Sequence, residues 1–167
     1  MTGSERGNAA GGRGTGAADA GEAPQLRILT QYIKDFSFEN PNAPRMLGAQ
    51  DAQPAINVHV DVRAEKMGDE NFEIELRLTV DAKVQNQTMF MVDLLYAGLF
   101  RLQNIPADSV QPVLLIECPR QLFPFARRIV ADVTRDGGFP PLMIDPIDFP
   151  ALYRHRLEQA QAGKLNG

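Results

Sequence analysis

Two runs of strictly alternating residues limit what this chain can fold into more than any other feature of its sequence. Ile56, Val58, Val60 and Val62 alternate with Asn57, His59, Asp61 and Arg63. Phe72, Ile74, Leu76, Leu78, Val80, Ala82 and Val84 alternate with Glu73, Glu75, Arg77, Thr79, Asp81 and Lys83. Successive side chains of a β-strand point to opposite faces, so each run is a strand with one apolar and one polar face. Lys66 to Asn71 between them reads as a hairpin turn.

The flanking segments extend this sheet. Leu26, Ile28, Tyr32, Ile33, Phe36 and Phe38 mark a long strand to about Glu39. The prolines of Asn40-Pro41-Asn42-Ala43-Pro44 then stop it, because each lacks a ladder donor and forces its predecessor out of the helical region. A crossover loop to about Pro54 follows. A fourth strand, about Thr88 to Leu102, is apolar on both faces apart from Asp93, and both faces need cover. That need, shared by the apolar region Val113 to Val133, predicts an oligomer with Val92, Leu94 and Tyr96 at the subunit interface.

Strands followed by helical segments give an α+β fold with an antiparallel meander. Phe125, Ile129 and Val133 recur at helical spacing, while Pro119 and Pro124 should break or bend that helix. Gly137-Gly138-Phe139-Pro140-Pro141 makes a turn, and Asp148 caps a last helix, roughly Phe149 to Gln161, ending near Gly163. The chain therefore divides into a tail (1–24), one domain (25–162) and a flexible C-terminus (163–167). The tail holds seven of the 14 glycines and no Val, Ile, Leu or aromatic residue, too little apolar surface to offset its ordering entropy, and is expected to be disordered.

Charge and chemistry narrow the function. A net charge of −4 argues against nucleic acid or an anionic membrane as the main partner and suits a basic one. With a single Cys, no apolar run long enough to span a bilayer and no secretory leader, a cytoplasmic protein without membrane insertion is expected. No phosphate loop follows a strand, so no nucleotide site is supported. Cys118 precedes Pro119 and follows the apolar run Val113 to Ile116, which reads as core rather than as a nucleophile working with His59 or His155. The two His are far apart in sequence and lack nearby second ligands, and Glu73 with Glu75 alternates with cations as a solvated face does. Binding without catalysis, cofactor or metal is the expectation.

Asp35-Phe36-Ser37-Phe38-Glu39-Asn40-Pro41-Asn42-Ala43-Pro44 resembles the signature near the start of the SecB family, the bacterial protein-export chaperones. Cys118-Pro119 with Leu122-Phe123-Pro124-Phe125-Ala126-Arg127 agrees, as do Gly138-Phe139-Pro140-Pro141 through Pro146-Ile147-Asp148-Phe149 to Ala151-Leu152-Tyr153, and Tyr96-Ala97-Gly98 with Phe100. The resemblance runs in order from about residue 26 to 158. It implies a four-stranded antiparallel sheet with a long bent helix region and a C-terminal helix, assembled as a dimer of dimers.

The activity it implies is ATP-independent: unfolded secretory precursor proteins are held in the cytoplasm and delivered to the translocase motor SecA. Carried over by position, the SecA contact is Asp35, Glu39, Met91 and Asp93, with Asp93 standing where the family more often has Glu. Acidic residues suit the basic tail of SecA, which carries its own zinc, so the metal belongs to the partner. The client groove implied between crossover loop and last helix presents Met46 and Leu47 opposite Leu152, Tyr153 and Leu157. Ala52 stands where relatives often carry an aromatic, and the chain has no Trp. Two other readings are a SecB-like chaperone dedicated to another client, such as an antitoxin, and a small-ligand-binding β-sheet protein.

Overall fold

The computed structural model describes residues 21–167. The expectation of a disordered tail falls almost wholly outside the described residues. Four strands, β1 (Gln25–Glu39), β2 (Ala55–Lys66), β3 (Asn71–Val84) and β4 (Gln87–Gln103), form one antiparallel sheet in the order β1-β4-β3-β2. The loop after β1 therefore carries the chain from one edge of the sheet to the other, as a crossover. Asn42 Nδ2 donates to the Thr88 carbonyl at 2.7 Å and Asn40 Nδ2 to the Gly137 carbonyl at 2.9 Å, tying that loop to the body. Gln85 and Asn86 both take positive φ (49° and 64°), as a tight two-residue hairpin between β3 and β4 demands.

The even residues of β3 and β4 make the inner face. Ile74, Leu76, Leu78, Val80, Val92, Leu94 and Phe100 are all buried, each contributing roughly 1.5–3 kcal/mol of apolar transfer energy. Their cover comes from the same chain. A 3₁₀ turn (Ala107–Ser109), the short α1 (Val110–Pro112) and a π turn (Val113–Glu117) lead into α2 (Cys118–Asp136), whose Cys118, Leu122, Ala126 and Val130 face the sheet. Pro119 brings no N–H to the preceding turn, which is the widened π turn, and Pro124 sits exposed inside α2 without ending it. The prolines reshape one turn and leave the helix long. Cys118 is fully buried, and burial pushes its thiol up to about 12, which makes it inert core.

This geometry corrects the interface expected at Val92, Leu94 and Tyr96. Those residues are 1 %, 0 % and 8 % exposed within a single chain, because they point at α2 and not away from it. Uncovered apolar surface lies on β1 instead, where Ile33 and Phe36 share the inner face with their partners Tyr96 and Leu94 yet stay 49 % and 37 % exposed.

The chain leaves α2 through Gly138, at φ 95°, and Thr134 pins the strap that follows by accepting from the Leu142 N–H at 2.9 Å. α3 (Phe149–Leu165) then begins where Asp148 accepts from the Ala151 N–H at 3.0 Å, the expected cap with Pro150 in the first turn. Phe149 seats the helix against Phe123 of α2, ring centroids 6.2 Å apart. α3 runs through Gly163 to Leu165, longer than expected and into the segment expected to be flexible, because Gly163 does not adopt the left-handed conformation that would terminate it.

Candidate functional site

On the outer face of the sheet, Asp35, Ser37 and Glu39 of β1 stand opposite Leu95, Asp93 and Met91 of β4. Paired residues share a face, so the sheet brings Asp35, Glu39, Met91 and Asp93 together on two adjacent strands. Met91 is 42 % exposed, an apolar tip among acids. Asp93 is not free. Arg77 of β3 grips it, Nε to Oδ1 at 3.0 Å and Nη2 to Oδ2 at 2.6 Å. Those bonds hold the Asp93 carboxyl below its ordinary range, and Asp93, with Asp35 and Asp61 adding their fields, raises Arg77 further.

A second cluster lies along the same face. Glu73 is only 8 % exposed and accepts from the Tyr32 hydroxyl and from Lys34 Nζ at 2.7 Å, while the same ammonium reaches Glu75 Oε1 at 2.5 Å. These side chains span from β1 to β3 across the intervening β4, where Ala97, partner of both Tyr32 and Glu75, is small enough to be crossed.

The opposite edge carries the groove. Leu152 and Tyr153 of α3 line a pocket with Val60, Val62 and Leu115, and Tyr153 and Leu157 line the next one with Ala64, Leu115 and Ala160. Farther along β2 an apolar hollow lies between Pro54, Ile56, Phe90, Phe139 and Leu142. Ile56 and Val58 remain 43 % and 40 % exposed between these hollows, so the inner face of β2 forms an open apolar strip. Met46 and Leu47 line none of these pockets. Met46 is 6 % exposed and belongs to the core, and Leu47 packs on Gly138, where a Cβ would come within 2.9 Å of its Cδ2. The pockets under Leu152, Tyr153 and Leu157 are walled by β2 and the π turn, while Leu47 of the crossover loop stays 38 % exposed beside Gly138.

Sequence reading missed Arg77, which grips Asp93 on the neighbouring strand, and Arg156 of α3, which lines both α3 pockets and donates to the Val62 carbonyl of β2. It also passed over Ile56 and Val58 as groove residues, although β2's alternation was evident. Among the described residues no three His, Cys, Asp or Glu side chains converge where a metal ion could be held, and no helix is long and apolar enough to cross a membrane.

A sheet backed by one long helix, with an open apolar groove at one edge and a charged outer face, defines a protein-binding α+β subunit of the chaperone kind. Residues 19–160 match the family described as preprotein translocase subunit SecB. A protein-export protein SecB of Parvibaculum lavamentivorans is 60 % identical over 157 residues, 94 % of each chain. One of Azorhizobium caulinodans is 59 % identical over 143 residues, covering 86 % of this chain and 89 % of that one. A solved Mycobacterium tuberculosis SecB-like chaperone, in complex with a ChAD peptide from an antitoxin, has the same fold. Its TM-score is 0.60 at 15 % identity, over 73 % of this chain and 90 % of that one. The chain belongs to the SecB family, whose members are protein-export chaperones.

Proposed function

We propose that this chain is an ATP-independent cytoplasmic chaperone that holds secretory precursors unfolded and hands them to SecA. The observation that carries the reading is the apolar strip of β2, open at Ile56 and Val58 and continuing into the pockets under Leu152, Tyr153 and Leu157. An unfolded chain offers apolar side chains and unpaired backbone groups, and a strip of this kind beside a sheet edge takes both. Many weak segments bound along one wrapped chain add up to tight holding.

The outer face supports the second half of the reading. Asp35, Glu39 and Asp93 around the exposed Met91 suit a basic, partly apolar tail, with any zinc held by that tail. Ile33 and Phe36 on the uncovered part of β1, together with Phe125 at 42 % exposure on α2, support assembly into a homotetramer.

Size exclusion with light scattering tests this directly, using the purified protein with and without a denaturant-unfolded precursor and no ATP. A species near four times 18.4 kDa that co-elutes with the unfolded precursor and ignores the folded one is expected. A monomer that lets the precursor aggregate would sink the proposal. Addition of SecA should then yield a complex that Asp35→Asn with Glu39→Gln weakens.

A further inference from the structure

The β2 groove, read as the client site above, contains one contact that the reading leaves unexplained. Arg156 Nη1 of α3 donates to the backbone carbonyl of Val62 at 2.7 Å. The phase of the hairpin shows what that carbonyl is. Met67 N–H donates to the Asn71 carbonyl at 2.8 Å, so the odd residues of β3 turn their backbone groups toward β2, and Leu102 N–H to the Glu70 carbonyl at 2.8 Å sends the even ones toward β4. In the register of the pair, the odd residues of β2 therefore make the ladder bonds. Ile56, Val58, Val60, Val62 and Ala64 direct their N–H and C=O outward, along an edge that no other strand among the described residues occupies.

The same residues turn their side chains into the groove. Such a strand is a template for an added one, with unpaired backbone groups and alternate side-chain pockets in register. Arg156 interrupts it. It lines both the pocket at Val60 and the pocket at Leu157, and its hydrogen bond occupies the Val62 acceptor between them. Arg156 is itself exposed and has no carboxylate partner among the described ion pairs. The bond is part-buried, over a Val62 only 3 % exposed, while the Arg156 side chain that makes it is exposed, so another N–H reaches that carbonyl only where the arginine gives way.

We infer that Arg156 is a gate on the client groove, occupying the Val62 carbonyl in the free chaperone and giving way when an extended client segment pairs with the β2 edge. The occupant is an extended, proline-free stretch with alternate apolar side chains, whose N–H groups replace the guanidinium at Val62. Its path then runs unbroken from the pocket at Val60 to the one at Leu157.

The test uses the full-length protein and Arg156→Met, which keeps an apolar stem and removes the donor. The probe is a short peptide of alternating Leu and Ser, alongside a copy N-methylated at alternate residues. Affinity is measured by fluorescence anisotropy, and exchange of the Ala64 amide by mass spectrometry. The variant is expected to bind the plain peptide roughly fivefold tighter, with Ala64 protected on binding, and to gain nothing for the methylated copy. If methylation weakens binding to both proteins but the variant binds no tighter, the gate is overturned while the groove stands. If methylation weakens neither, addition at this edge is wrong and the gate falls with it.

Discussion

Arg77 on β3 clasps Asp93 on β4 diagonally, with both carboxylate oxygens engaged, although the register sets Arg77 against Leu95 and Asp93 against Thr79. The pair lies in the face proposed to meet the basic tail of SecA, so Arg77 competes there with any incoming cation. Both side chains are half-exposed, and solvent screening keeps their bond modest. Arg77→Gln should therefore tighten binding of a Lys-rich SecA tail peptide roughly two- to fivefold and steepen its salt dependence, whereas Asp93→Asn should weaken it. Calorimetric titrations at two ionic strengths read both effects, and weaker binding by Arg77→Gln would remove Arg77 from this role.

Glu73 makes stability depend on pH at the acid end. Its folded-state carboxyl titrates below the ordinary 4.5, first because Lys34 and then because Tyr32 bonds to it. The stabilisation is then fully present above that ordinary value and is lost as pH falls through the lowered one. Tyr32 works in the opposite direction: burial first, then the bond to Glu73, pushes it up to about 12, so its contribution holds below 10 and fades as pH rises through the raised value. Glu73→Gln should cost about 1–2 kcal/mol at pH 7 and flatten the acid limb of stability. Urea unfolding between neutral pH and acid measures this, and an unchanged acid limb would mean that the cluster contributes nothing net.

Gly98 on β4 is a packing requirement. A Cβ there would lie 2.8 Å from a ring carbon of Phe100 and 2.9 Å from Leu122 Cδ2, and both side chains are fully buried between sheet and α2. Gly98→Ala is expected to destabilise the subunit by about 1–3 kcal/mol through overpacking, despite alanine's better backbone entropy. Chemical denaturation compared with the parent protein is the check, and a stabilised variant would show that α2 yields easily at this point.

The sheet was legible because period-two alternation is a local signal, and β3 displays it along its whole length. The Asp148 cap and the loop of Asn40 to Pro44 were equally local. What escaped depends on which element covers which face. β4 is apolar on both sides, and a sequence alone does not say that its even residues meet the chain's own α2. Arg77 and Arg156 likewise looked like ordinary surface cations, because a diagonal partner on β4 and a carbonyl on β2 leave no trace in spacing. The acidic site residues were found through resemblance, and the register then placed them on one face. Met46 and Leu47, also expected through resemblance, lie apart from the pockets on β2: Met46 is in the core and Leu47 is exposed beside Gly138.

The contrast between Leu94 and Phe36 separates subunit folding from assembly. They are register partners on the inner face, yet Leu94 is fully buried under α2 while Phe36, one strand outward, is 37 % exposed. A charge at Leu94 would sit unpaired in the core at a cost of several kcal/mol, so Leu94→Asp should unfold the subunit. A charge at Phe36 remains solvated in the isolated chain and is buried only if another subunit covers β1. Phe36→Asp should therefore keep the strand and helix signals in circular dichroism while shifting the light-scattering mass below that of the tetramer. If Phe36→Asp stays tetrameric, the exposed inner face of β1 is not an assembly surface, and the contacts must be sought on the outer side of α2.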